Sequence, residues 1–160
     1  MIISDATALI VLINIERFDI LKMMFSTIII AQEVYEEVSI KPSAKKYIDA
    51  EIENGFLHKE TYQDKNLFKE INFILDKGES ASIALAIEKK LPLIIDEKKG
   101  RKFAEQSGVE IIGLVGILRF LYIEQKLDEH EILEIIKHLN QSDFRISKSL
   151  IESVMLVKNG

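Results

Sequence analysis

The sequence predicts a three-layer α/β domain built on a mostly parallel sheet of four or five strands. Three observations carry that prediction. Short runs of branched apolar residues recur at 1–4, 27–31 and 93–95. Runs of this length without polar alternation suit strands covered on both faces, as in a parallel sheet. Each run gives way to a stretch of helical periodicity, so strand and helix alternate along the first two-thirds of the chain.

Residues 1–4 read as the first strand. Residues 6–18 (ATALIVLINIERF) read as a nearly all-round apolar helix, with Asp5 at the junction. On local grounds Asp5 need be no more than a helix N-cap. Residues 27–31 (TIIIA) form the second buried strand. In the QEVYEEV that follows, Val34 and Val38 fall at helical spacing, leaving Glu33, Glu36 and Glu37 for other faces. Pro42 opens a helix running to Glu53, which Asn54-Gly55 stops. Residues 56–58 suggest a short strand. Leu67, Phe68, Ile71, Ile74 and Leu75 make an amphipathic stripe over 67–75, and Asp76-Lys77-Gly78 reads as its break.

Glu79 opens the helix ESASIALAIEKK, whose Ala81, Ala84 and Ala86 allow close packing on a neighbour. An acid in a first helical turn is favourable against the helix dipole, so Glu79 also has a purely structural explanation. The stretch 91–101 (LPLIIDEKKGR) holds the central strand, which follows Pro92 and ends in Asp96 and Glu97. A helix is expected over 98–106, ended by Ser107-Gly108, and a further strand over 109–112. Residues 114–123 are apolar on almost every face and read as a buried helix. Ile132, Ile135, Ile136 and Leu139 form another amphipathic stripe, and a last helix is expected over 150–157. No repeat, low-complexity tract or linker interrupts the chain, so residues 1–160 read as one domain.

Composition narrows the function. There are no cysteines, which excludes disulfides and thiolate zinc sites and makes a reducing, cytoplasmic setting the expectation. His58, His130 and His138 are scattered and lack metal-ligand spacing. No apolar run approaches the roughly 18 residues of a membrane span, and the start of the chain carries Asp5 and no basic segment of a signal peptide. The net charge of −5 does not advertise nucleic-acid binding, although a local basic patch or a bound cation would reverse the local sign.

Four acids stand out by position. Asp5, Glu37, Glu79 and Asp96 each lie where a buried strand meets a following helix or its first turns. Parallel sheets gather ligands at the carboxyl ends of their strands. Carboxylates brought together there would raise one another's pKa, a penalty that a divalent cation removes. All-oxygen ligation suits Mg²⁺ or Mn²⁺. Lys98, Lys99, Arg101 and Lys102 form a basic run beside Asp96, either a solvated face or a set of phosphate contacts.

These residues resemble a family. The opening ISDATALI is similar to the D-x-[ST]-x-L-I start of PIN domains, with Asp5 and Thr7 on the matching positions. VYEEV resembles the segment carrying the second acid, which maps to Glu37 with Glu36 as its neighbour. KGESASIALA resembles the G-E-x-x-x-I-x-L-A signature of an uncharacterised, predicted nucleic-acid-binding branch of the family. IIDEKKGRKFAEQSGVEIIGLVGIL resembles its fourth-acid segment, and FRIS near the C-terminus also fits. Two departures stand out: Ala6 replaces a common Thr or Ser, and the third acid is Glu79 in a Gly-Glu pair where typical toxins have aspartate.

The resemblance implies a metal-dependent nuclease fold related to VapC-type toxins. It makes Asp5, Glu37, Glu79 and Asp96 both catalytic and metal-ligating, with Mg²⁺ or Mn²⁺ as cofactor. Thr7 and Glu97 would support the ligands, and Lys98, Lys99 and Arg101 would contact phosphate. The expected partner is nucleic acid, RNA ahead of DNA. An antitoxin-like protein and a homodimer are further expectations, and no membrane is involved. Other classes fit less well. A dehalogenase-type phosphotransferase would need an acid at Thr7. A dinucleotide-binding domain would need glycines after the first strand, and none precedes Gly55. A receiver-like domain leaves the later glutamates unexplained. The remaining competitor is an inactive PIN-like module that only binds.

Overall fold

The structure is a computed structural model that describes residues 1–142, 144 and 146–155. Its centre is a five-stranded sheet whose pairings are all parallel, ordered β3-β2-β1-β4-β5. The strands are β1 (Ile2–Ser4), β2 (Ile28–Ala31), β3 (Leu57–Glu60), β4 (Leu93–Ile94) and β5 (Ile111–Ile112). The three inner strands are buried throughout, which is why their sequences read as unbroken apolar runs. The edge strand β3 instead exposes His58 and Lys59, charged or polar side chains that discourage edge-to-edge pairing.

Ten helices accompany the sheet among the described residues: α1 (Ala6–Asn14), α2 (Asp19–Met24), α3 (Gln32–Val38), α4 (Pro42–Glu53), α5 (Lys65–Asn72), α6 (Lys77–Lys89), α7 (Lys98–Gln106), α8 (Leu114–Ile123), α9 (Glu129–Asn140) and α10 (Lys148–Met155). The chain builds outward from β1 through β2 to β3, then returns across the sheet to β4 and β5. Right-handed crossovers running in opposite directions put their helices on opposite faces, so the three-layer α/β class is as predicted. The reversal lies between β1 and β4, which are hydrogen-bonded neighbours. That is the switch point at which such sheets open a crevice.

α6 anchors this arrangement. It packs on β1, β2 and β4 and against α3 and α5. Its Ala81, Ala84 and Ala86 are buried, their small side chains letting the helix approach closely.

Several boundaries differ from the sequence reading. The predicted helix 6–18 ends at Asn14, and Glu16 adopts a left-handed conformation (φ 59°) before α2 begins. Left-handed turns favour glycine, and a glutamate there leaves no sequence signal. The predicted helix 67–75 instead spans Lys65–Asn72, because Asp64 caps it by accepting the Leu67 N–H at 3.0 Å. The edge strand lies one residue later than 56–58 at its start and extends to Glu60. α10 begins at Lys148, two residues before the predicted start, and the last two residues of the predicted helix lie outside the described residues. Within FRIS, Arg145 also lies outside them.

Candidate active site

β1 and β4 deliver Asp5 and Asp96 to the same end of the sheet. Ser4 is in register with Ile94, and the Asp5 N–H donates to the Ile94 carbonyl at 2.9 Å. Asp5 is the N-cap residue of α1, yet its side chain makes no capping bond to that helix's later N–H groups. The bland N-cap explanation therefore does not account for its carboxylate. The side chain is only 4% exposed.

The acids acting on Asp5 are Glu79, Asp76 and Glu37. Burial is the main force raising the Asp5 carboxyl, and these three charges add to it, against a hydrogen bond from the Ala6 N–H. Glu79 is held on the first turn of α6 and is buried as well. Its pKa is raised first by burial, then by Asp76, Glu97 and Glu37. Glu37, in the last turn of α3, is raised by burial and by Asp76. Its neighbour Glu36 is exposed and accepts a hydrogen bond from Gln32 at 3.3 Å. Of the two candidates for the second acid, Glu37 is the one in electrical contact with the cluster.

Asp76 is the residue that sequence reasoning missed. What read as a helix break is the N-cap of α6: Asp76 Oδ1 accepts the Glu79 N–H at 2.8 Å. The backbone N–H of Asp76 acts in return on the Glu79 carboxylate, completing a reciprocal capping box. Asp76 and Glu79, three residues apart, were the available signal. Gly78 between them lets the elements close: a β-carbon there would stand 3.5 Å from Asp5 Oδ1 and 3.7 Å from Asp76 Oδ1. Both carboxylates thus face one point over the start of α6.

Asp96 has different company. Its Oδ1 accepts the Leu114 N–H at 2.9 Å, at the first residue of α8. Burial raises its pKa, while the Leu114 N–H and the Arg101 guanidinium pull it down. Its Oδ2 is buried without a hydrogen-bond partner. The structure therefore puts Asp96 at the neighbouring strand end but ties one of its oxygens to α8. Glu97, expected to support the ligands, is exposed and acts on Glu79. Gly100 brings α7 against that residue, since a β-carbon at Gly100 would lie 3.5 Å from the Glu79 carboxyl carbon. Thr7 is half-buried in the first turn of α1, two residues from Asp5.

The basic run borders this crevice unevenly. A pocket of about 410 Å³ is lined by Asp96, Lys98, Arg101 and Lys102, with Glu105 and Gln106. Lys99, exposed on the same turn, is not among its lining residues. Arg101 lies over Gly113, where a β-carbon would collide with its Nη1 and stand 2.9 Å from Asp96 Oδ1. Gly113→Ala should therefore displace both side chains and lower the thermal midpoint, at a cost of about 1–3 kcal/mol for an overpacked site. A midpoint unchanged in a melting experiment would show that the two side chains yield freely.

Among the described residues, no three His, Asp or Glu side chains are arranged to hold a metal ion as they stand. The chemistry of the donors nevertheless fits a hard divalent cation: the crevice offers carboxylate oxygens without His or Cys, and Asp96 keeps a buried oxygen unpartnered.

A family model described as a PIN domain matches residues 1–158. The chain belongs to the PIN-domain family. A search of curated proteins finds no match. PIN domains are a nuclease-type family that interacts with nucleic acid and generally uses divalent metals. In this PIN domain, the acidic centre is Asp5, Glu37, Asp76 and Glu79, with Asp96 beside it.

Asp76 has two separable roles, a cap and a charge. Asp76→Asn keeps an oxygen for the Glu79 N–H and removes the charge, whereas Asp76→Ala removes both. The Asn variant should melt above the Ala variant by about 2–4 °C, the equivalent of about 1 kcal/mol for a lost cap. Equal midpoints in chelator would mean that the cap bond contributes nothing.

Proposed function

We propose that this PIN domain is a divalent-metal-dependent nuclease that hydrolyses phosphodiester bonds, with RNA as the substrate. One observation supports the proposal: the end of β1, the last turn of α3 and the start of α6 hold Asp5, Glu37, Asp76 and Glu79 close enough to act on one another's charge, next to the β1–β4 switch point of a nuclease-type fold. Asp5, Glu79 and Asp96 are the residues that would hold Mg²⁺ or Mn²⁺, with Glu37 and Asp76 alongside. When bound, such a cation supplies Lewis-acid chemistry, activating water and offsetting charge on the attacked phosphate. Lys98, Arg101 and Lys102 would hold the substrate backbone, which positions a strand without reading its sequence. Thr7 would orient a ligand from the first turn of α1.

The test is cleavage of labelled single-stranded RNA and DNA by purified protein in Mg²⁺ or Mn²⁺, with chelator as control. Metal-dependent cutting of RNA is expected, and its absence in both metals favours a second reading. In that reading the domain binds without cutting. It draws on Asp96, whose Oδ1 is already engaged by α8. A toxin role with an antitoxin-like partner rests on the motif resemblance.

A further inference from the structure

The connection between α5 and α6 carries an aromatic ring in the open. Phe73 is 91% exposed and Ile74 beside it 63% exposed. The segment is not loose. The N–H groups of Ile74 and Leu75 both donate to the Ile71 carbonyl at 3.0 Å, and Ile71 and Leu75 are buried on either side. At its far end, Ser80 Oγ donates to the Asp76 carbonyl at 2.6 Å. The fold thus fixes Phe73 outward between two buried anchors.

Scattered exposed apolar residues are ordinary. Position sets this one apart. Phe73 precedes Asp76 by three residues, a span of no more than about 11 Å, and Asp76 acts on Asp5, Glu79 and Glu37. The backbone of Phe73 therefore lies within about 11 Å of an acid that belongs to the cluster. A nucleic acid approaching a chain of net charge −5 gains little from long-range attraction, so contacts independent of charge matter more. Every unpaired base offers a π-face that stacks on an aromatic side chain, whereas bases in a duplex already stack on one another. Lys69 and Lys77, exposed four residues to either side of Phe73, can meet the flanking phosphates.

We propose that Phe73 is a base-stacking residue that seats an unpaired nucleobase beside the acid cluster, selecting single-stranded over duplex substrate. This rests on the nuclease reading of that cluster. The chain has no tryptophan, so Phe73→Trp supplies a single fluorescent reporter at the site. Binding is measured in chelator, where no cleavage intervenes, with a short single-stranded RNA, an abasic strand of equal length and a hairpin duplex. The single-stranded RNA should quench the tryptophan and the other two should not. Phe73→Leu, which keeps apolar bulk but loses the ring, should weaken RNA binding by about 5- to 150-fold, the scale of one stacked base. Phe73→Tyr should restore it.

Binding of RNA without quenching, or full affinity in Phe73→Leu, overturns the proposal. Affinity kept by Leu but lost with Phe73→Ser would also overturn it, by marking an apolar docking surface for protein. The two readings fail separately. Ring-dependent binding with no cleavage by the wild type in metal removes the nuclease alone, and cleavage indifferent to the ring removes the stacking alone.

Discussion

Asp5→Asn is expected to abolish RNA cleavage by at least about 10²-fold in kcat while leaving the protein folded. The magnitude is that of losing one preorganised group that acts on transition-state charge. Asparagine nearly matches the volume of the buried side chain and can still accept from the Ala6 N–H, which acts on Asp5 in the native protein. The loss should therefore fall on charge and not on structure, and a thermal midpoint at or above that of the wild type would show this. Asp96→Asn is the informative companion. The amide oxygen of that variant can keep the hydrogen bond from the Leu114 N–H, so a purely structural Asp96 predicts full activity. A functional Asp96 predicts a loss comparable to that of Asp5→Asn. Cleavage that persists unchanged in both variants would belong to a contaminant, and the binding-module reading would then prevail.

The fold was legible in the sequence wherever one residue pattern answered to one structural cause. Buried strands announced themselves as unbroken apolar runs, and α4, α7 and α8 have their predicted limits because Pro42, Ser107-Gly108 and an all-round apolar stretch mark them. Legibility failed where a residue did something its type seldom does. Glu16 turns the chain in a left-handed conformation without glycine, so α1 and α2 read as one helix. The candidate site shows the same division. Asp5 and Glu79 stand at a strand end and a helix start, as their sequence positions suggested, whereas Glu37 lies in the last turn of α3 and not in the first turns after a strand. Their coupling to Asp76 was not visible in the sequence, because it requires α3 and α6 to pack together. Nor was the tie between Asp96 and α8, which requires β5 to pair with β4 so that the first residue of α8 reaches Asp96.

In chelator, the thermal midpoint should fall as pH rises from about 5 to about 8.5, and Mg²⁺ or Mn²⁺ should reverse the fall. Burial, with the charges of Glu79, Asp76 and Glu37, pushes the Asp5 carboxyl from 3.8 up to about 8. Burial first, then Asp76, pushes Glu79 from 4.5 up to about 7. Between each pair of values the folded chain keeps a proton that the unfolded chain has released. The native state then binds more protons than the unfolded state, so stability declines with rising pH across that window. Below the lower values both states are protonated and above the upper values both are ionised, so these groups add no slope there. A divalent cation replaces the protons, and its benefit should therefore be greatest near pH 8. At a concentration of 100 Kd it contributes about 2.7 kcal/mol, a shift of about 5–11 °C for a chain of this size. Asp5→Asn carries no titrating group at that position, so its profile in chelator should be flatter than the wild type's and its metal response smaller. A wild-type midpoint indifferent to millimolar metal at pH 8, with the same slope in Asp5→Asn, would show that the acids neither share their charge nor hold a cation.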